Sequence, residues 1–131
     1  MNLSQRLSAF CSLGKVVTNL SLSDRKTLAE KARNENAWFI EDSVLTALQG
    51  VSILLNEEKL SGWIKTYEIE SLAPKTVGVA MAGNIPLVGF HDFLCVLMAG
   101  HNLKAKLSSQ DASLIRFIAQ KLVEIEPEFS P

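Results

Sequence analysis

The sequence predicts an α/β protein in which an N-terminal layer of helices precedes a βαβα portion of a parallel sheet. Two short apolar runs, residues 77–81 and 103–107, have the length and composition of strands, and a segment of helical length separates them. Amphipathic repeats with three- and four-residue spacing occupy most of the remaining chain. Two strands joined by a helix form a βαβ unit, which is normally parallel and right-handed.

Turn and helix signals divide the βαβ unit. The first strand is apolar throughout, which is typical of a strand buried on both faces. It is followed by Gly83 and Asn84, which both tolerate unusual backbone angles. Pro86 suits the first position of a helix because its φ is already set and its missing N–H is not needed there. We therefore expect a helix over about residues 86–99, ended by Gly100.

The other helices are predicted from hydrophobic periodicity and from capping residues. Trp38 and Phe39 are expected to anchor the helical layer, and Ser23 and Asp24 to cap its second helix. The link 68–75, which contains Pro74, divides a helical segment over residues 1–70 from an α/β segment over residues 71–131. The predicted helices cover residues 3–20, 24–34, 40–56 and 57–67, and a last one begins at residues 110–111 and ends at Pro127.

Composition excludes several function classes. The chain has 131 residues, enough for one domain, and its formal charge of −1 is spread over interleaved acids and bases, so nucleic-acid binding is not expected. The apolar stretch 77–98 is interrupted by turn and polar residues, which argues against a membrane span. Cys11 and Cys95 have neither metal-site nor disulfide spacing, and no metal site is predicted. A cytoplasmic location is the simplest expectation.

The polar residues that follow the two strands form the candidate site. In parallel sheets, ligands bind beyond the carboxyl ends of the strands. Gly83 and Asn84 follow the first strand, and Lys106, Ser108 and Ser109 stand at the end of the second. An asparagine amide can donate to a developing oxyanion, and a lysine with a serine can hold a ribose hydroxyl or a phosphate.

Three motifs in order carry a family resemblance. The motif Ala-Gly-Asn-Ile-Pro at 82–86 precedes a helix ending in Ala-Gly-His-Asn at 99–102, and Lys-Leu-Ser-Ser follows at 106–109. This arrangement resembles the first half of the Rossmann-like nucleotide-binding domain of the aldehyde dehydrogenase superfamily. Within it, the segment 83–93 is most similar to the bacterial long-chain acyl-CoA reductases of the LuxC type. The resemblance is firmest over residues 76–129.

The resemblance implies an NADPH-dependent reduction of fatty acyl-CoA to aldehyde through an acyl-cysteine. Asn84 would stabilise the oxyanion, while Gly83, Lys106, Ser108 and Ser109 would contact the cofactor. A serine and a glutamine stand where many nicotinamide sites have a ribose-binding acid, which favours NADPH, with NADH possible. Leu107 departs from the proline that many family members have there. The cysteine nucleophile is expected in a later domain, which makes this chain an N-terminal fragment that is inactive alone.

Each candidate also has a structural interpretation. Asn84 suits a turn for its backbone alone, and Lys106 suits a solvated strand end. Cys95, within an apolar helix, is expected to be buried and inert, and the adjacent His91 and Asp92 to be structural rather than a general base. Trp38, Phe39, Trp63 and Tyr67 could line an acyl channel or belong to the core. A different class of function is a non-catalytic module that self-associates through an uncovered sheet, giving a homo-oligomer.

Overall fold

A computed structural model describes residues 1–69 and 73–130, arranged as four helices followed by a βαβα unit. The predicted link 68–75 and the segment boundary between residues 70 and 71 fall wholly or partly outside the described residues, as does Pro131. The elements are α1 Leu3–Thr18, α2 Leu22–Glu35, α3 Glu41–Leu54, α4 Glu57–Ile64, β1 Thr76–Ala80, α5 Phe90–Met98, β2 Asn102–Lys106, α6 Ser113–Ile125 and a 3-10 turn Pro127–Phe129.

The two strands β1 and β2 pair in parallel, which confirms the predicted α/β class and the βαβ unit. Thr76 lies opposite Asn102, and the register continues to Ala80 opposite Lys106. The expectation of burial on both faces is wrong. Val77 and Val79 are half-buried on one face, whereas Thr76, Gly78 and Ala80 are exposed. Helix α5 packs on the sheet, and no element of the described residues covers the opposite face.

One apolar core joins the helical layer to the βαβα unit. Helix α1 contacts α3, α4, α5 and α6, so it lies at the centre of the packing. Its inner face includes the buried side chains of Phe10, Leu13 and Val17. Phe39 is only 1% exposed, as expected of an anchor, but Trp38 is 88% exposed, so that part of the prediction is wrong. The largest fully buried side chains also include Leu55, Leu60, Phe90, Leu94, Met98, Leu114, Ile118 and Leu122.

Capping side chains place the ends of two helices differently from the prediction. Ser21, rather than Ser23 or Asp24, caps α2, because its hydroxyl oxygen accepts the N–H of Asp24 at 3.0 Å. Asn56 caps α4, accepting the N–H of Lys59 at 3.2 Å. Asn56 therefore lies at the start of α4, whereas the sequence pattern placed it at the end of the preceding helix. No helix of the described residues is long and apolar enough to cross a membrane.

Helix α5 begins later than predicted and ends as predicted. Residues 86–89 form turns, and the helix starts at Phe90. The reason lies at Leu87, whose φ of 59° is left-handed and incompatible with a continuing right-handed helix. Gly83 and Asn84, which both tolerate unusual backbone angles, do not have a positive φ. At the other end, Gly100 has a φ of 86° and closes a Schellman motif, in which the His101 N–H donates to the Val96 carbonyl at 3.2 Å.

Candidate functional site

The polar loops that follow the two strands lie at the same edge of the sheet. The loop after β1, residues 81–89, is called the first loop, and the loop after β2, residues 107–112, is called the second loop. Because the strands are parallel and Ala80 lies opposite Lys106, both loops start side by side. The Met81 N–H donates to the Lys106 carbonyl at 3.0 Å, which extends the pairing by one residue.

Gly83 and Ser108 bring the two loops into contact. Gly83 is buried, and a Cβ added there would lie 2.7 Å from the Ser108 Cβ and 3.1 Å from the Gln110 Cβ. Such a position accepts only glycine without movement of its neighbours. Glycine is thus required at this position by the close approach of the second loop. The Ser108 hydroxyl oxygen also accepts the Gln110 N–H at 3.2 Å, which shapes the loop.

The side chains of Asn84, Lys106 and Ser109 point to positions open to solvent. All three residues are exposed, and Asn84 makes no side-chain hydrogen bond to another described residue. Lys106 has no carboxylate of the described residues within 4.0 Å. The edge therefore presents an amide donor and a cation to solvent, next to the half-buried Ser108.

Two buried polar side chains hold the first loop from opposite sides. Asn36, after α2, donates through Nδ2 to the Gly83 carbonyl at 3.0 Å. The Leu87 N–H donates to Asp111 Oδ2 at 2.8 Å. Burial raises the pKa of the Asp111 carboxyl to about 6, and the nearby Glu35 carboxylate adds to this rise. The backbone hydrogen bond from Leu87 lowers the pKa and offsets part of the rise. Its second oxygen, Oδ1, has no hydrogen-bond partner in the described part of the chain.

The cap of α6 is supplied by Glu35 and not by Asp111, although the sequence pattern places Asp111 at the start of the last helix. The Glu35 carboxylate accepts the N–H groups of Ala112 and Ser113, both at 3.0 Å, and the Ser113 hydroxyl at 2.9 Å. Asp111 instead turns back towards Leu87. A carboxylate from α2 therefore occupies the positive end of α6, where it satisfies N–H groups that the helix leaves unpaired.

The second group of candidate residues lies on α5, the helix that directly follows the first loop. Cys95 is half-buried rather than buried, and its sulfur lies 3.7 Å from His91 Nδ1. Burial, and secondarily Asp92, raises the pKa of the Cys95 thiol, which disfavours the nucleophilic thiolate. Cys11 is buried, and burial also raises the pKa of its thiol. Neither cysteine has the environment of an activated nucleophile.

The aromatic residues do not assemble into one channel. An apolar groove of about 380 Å³ lies between α3, α4 and α5. Of the four aromatic residues considered for an acyl channel, Trp63 lines this groove. Tyr67 packs edge-on against Trp63 with ring centroids 5.7 Å apart, while Phe39 belongs to the core. Within residues 1–69 and 73–130, no three His, Cys, Asp or Glu side chains gather as a metal site requires. The groove is lined by Ile53, Leu54, Lys59, Leu60, Trp63, His91 and Leu94.

Comparison with protein-family models, curated proteins and solved structures finds no match. The resemblance to the acyl-CoA reductases therefore stays a prediction.

The sequence indicates the loop residues but does not indicate the side chains that bind the loops. Asn36, Asp111 and Glu35 form the contacts that shape the edge, yet the sequence places two of them in an apparent connection and one at an apparent helix start. The contact between Asp111 and Leu87 spans 24 positions and has no local signature in the sequence. Nothing local distinguishes Asn36 from the exposed Asn34.

Proposed function

We propose that this chain is the N-terminal part of an NADPH-dependent acyl-CoA reductase, which forms fatty aldehyde through an acyl-cysteine whose nucleophile lies outside the chain. The observation that carries the proposal is the shared edge of the parallel strands, where the exposed Asn84 amide and the exposed Lys106 follow neighbouring strands. Ligands of open α/β sheets bind at such an edge.

Asn84 is proposed to stabilise the oxyanion. When an acyl carbonyl is attacked, negative charge develops on its oxygen, and an amide N–H fixed in advance lowers the energy of that state. The Asn84 side chain has this donor, and the first loop that carries it is anchored to the rest of the protein at Gly83 and Leu87. NADPH, when bound, would supply the hydride that reduces the acyl group.

Lys106, Ser108 and Ser109 are proposed to receive the adenosine end of the cofactor, and the buried Gly83 is proposed to let the second loop approach the first. The ammonium group of Lys106 can donate to ribose hydroxyls or to a phosphate. Asp111 is 2% exposed and turned towards Leu87, so its carboxylate does not face a 2′-phosphate at the surface of the second loop. Repulsion from this carboxylate therefore does not oppose the 2′-phosphate of NADPH. Ser108 is engaged as an acceptor by Gln110 N–H, and its hydroxyl proton stays available for donation.

Activity of the protein that contains this chain tests the role of Asn84. We expect Asn84→Ala to lower kcat for acyl-CoA-dependent NADPH oxidation by about 10²–10³-fold, as for other oxyanion donors, with little change in KM. Asn34→Ala, on an exposed asparagine of α2, is the matched control. Full activity of Asn84→Ala would remove the basis of the proposal.

Binding of a cofactor fragment to the chain itself tests the adenosine subsite. Adenosine 2′,5′-bisphosphate contains the 2′-phosphate and needs only the second loop and β2. We expect Lys106→Ala to weaken its binding, measured by calorimetry, while Lys104→Ala on the same strand changes binding little. Equal losses in both variants would indicate general charge attraction instead of a subsite.

An interaction module that self-associates is the second candidate function. It is favoured by the uncovered face of the two-stranded sheet and by an apolar groove at whose rim Ile53 and Leu54 are 48% and 44% exposed. Light scattering coupled to size-exclusion chromatography distinguishes the two functions. A stable dimer that Ile53→Asp disrupts, without any binding of the cofactor fragment, would support the module.

A further inference from the structure

The conformation of the first loop is set by two side chains from distant parts of the chain. We propose that Asn36 and Asp111 are positioning residues, which together fix the turn that presents Asn84. The inference rests on the proposed function, because it takes Asn84 as the residue to be positioned. It assigns a purpose to the only two buried polar side chains among the described residues.

Asn36 holds the amino-terminal side of the turn. Its Nδ2 donates to the Gly83 carbonyl at 3.0 Å, and its Oδ1 accepts the Trp38 N–H at 3.0 Å. The second hydrogen bond fixes the orientation of the amide, so that its donor faces Gly83. With a residue exposure of 6%, Asn36 is shielded from water that would compete for this bond.

Asp111 holds the carboxyl-terminal side of the turn. Its Oδ2 accepts the N–H of Leu87, the one described non-glycine residue with a positive φ. A leucine in the left-handed region is strained and persists only where its surroundings determine the conformation. The Asp111 carboxylate and the burial of the Leu87 side chain, at 6% exposure, supply these surroundings.

The positions of the two hydrogen bonds explain how they act on Asn84. One bond engages the carbonyl of the preceding residue, and the other engages an N–H three residues later. The backbone on both sides of Asn84 is thereby tied to α2 and to the second loop, while the Asn84 side chain stays exposed. A donor on a backbone fixed in advance needs little reorganisation as charge develops, which is the requirement for oxyanion stabilisation.

Variants that differ in one hydrogen-bonding group test the inference. Asp111→Leu removes the acceptor for the Leu87 N–H, whereas Asp111→Asn keeps an acceptor of the same shape. Asn36→Asp removes the donor to Gly83 and keeps the acceptor for Trp38. Asp24→Leu and Asn34→Asp are matched controls at exposed positions on α2. Should Asp111→Leu not fold, Asn36→Asp applies the same test from the other side of the turn.

The first readout is amide hydrogen exchange across residues 83–87 of the chain itself. It is measured by NMR under conditions in which the variants have the same free energy of unfolding. We expect Asp111→Leu to speed exchange of the Leu87 N–H by about tenfold or more, since that proton loses its buried partner. Asn36→Asp should increase the mobility of the Asn84 backbone amide. Asp111→Asn and both control variants should change neither the exchange of the Leu87 N–H nor the mobility of Asn84. Unchanged exchange and mobility in Asp111→Leu and Asn36→Asp would overturn the inference, whatever the activity.

The second readout is kinetic, in the protein that contains this chain. We expect Asn36→Asp and Asp111→Leu to lower kcat with little change in KM for acyl-CoA, and Asp111→Asn to restore kcat. If Asn84→Ala is impaired but these variants are fully active, the positioning role is wrong and the proposed function stands. If Asn84→Ala itself is fully active, the proposed function fails, and the exchange measurement still decides whether the two side chains fix the turn.

Discussion

Glu35 and Ser113, separated by 78 positions in the chain, are joined by hydrogen bonds from both the N–H and the hydroxyl of Ser113 to one carboxylate. This contact connects the end of α2 to the start of α6. It also supplies the cap that α6 lacks locally, because Ala112 at its N-cap position has no side-chain acceptor.

Replacing Glu35 should destabilise the fold through α6. Glu35→Ala leaves the N–H groups of Ala112 and Ser113 without their acceptor, and we expect a loss of about 1–3 kcal/mol in the free energy of unfolding. Glu35→Gln keeps an acceptor but loses the charge, so its loss should be smaller. Urea denaturation measures both, with Glu30→Ala, exposed on the same helix, as the control. Equal stabilities of all three variants would contradict the capping role.

The buried Asp111 should make stability depend on pH. Its pKa of about 6 in the folded protein lies above the ordinary aspartate value of 3.8, so the folded state binds the proton more tightly than the unfolded state. The contribution of this group is therefore most favourable below about pH 4. It falls as pH rises through the window between 4 and 6, by about 3 kcal/mol in total.

Urea midpoints of the natural chain and of Asp111→Asn, compared across that window, isolate this contribution. Asp111→Asn does not titrate and retains an acceptor for the Leu87 N–H. Its stability relative to the natural chain should rise as pH increases from 4 to 7. A difference that stays constant with pH would show that Asp111 titrates normally.

The contact between Gly83 and Ser108 should be sensitive to a single methyl group. Gly83→Ala places a Cβ 2.7 Å from the Ser108 Cβ, and the forced movement should cost about 1–3 kcal/mol. Ser108→Gly removes the obstructing atoms, so the double variant should recover much of the loss, which a double-mutant cycle measures. Gly62→Ala, in α4 where an added Cβ meets nothing within 4 Å, is the control and should be neutral or stabilising. Additive losses would mean that the two loops separate in solution.

Cys95 should react slowly with alkylating reagents. Burial and Asp92 both raise the pKa of its thiol, so little thiolate is present near neutral pH. In a Cys11→Ser background, we expect iodoacetamide to label Cys95 more slowly than an unstructured cysteine peptide. Asp92→Asn should speed the labelling, and unfolding in urea should bring the rate to that of the peptide. Faster labelling than the peptide would point to a thiolate activated by His91.

The sequence predicted the elements whose signals are local. Hydrophobic spacing placed the helices and both strands, and Gly100 marked the end of α5, because these features depend on residues near in sequence. Helix starts were less predictable. Ser21, Ser23 and Asp24 all belong to residue types that cap helices, and the structure uses Ser21.

The candidate edge was predictable in position and unpredictable in detail. Parallel pairing follows from the βαβ pattern, so Asn84 and Lys106 were expected at the same rim. The left-handed Leu87 could not be foreseen beside Gly83 and Asn84, which tolerate that conformation better. Its conformation is imposed by Asp111, and side-chain contacts across more than 20 positions have no local signature.

The uncovered side of the sheet offers a place for a spectroscopic reporter. A Cβ added at Gly78 meets no atom within 4 Å, and this residue lies on the exposed face of β1. A cysteine introduced there in a background without Cys11 and Cys95 would accept a solvatochromic dye without disturbing the packing. A change in the emission of that dye would report the binding of another surface to this face of the sheet.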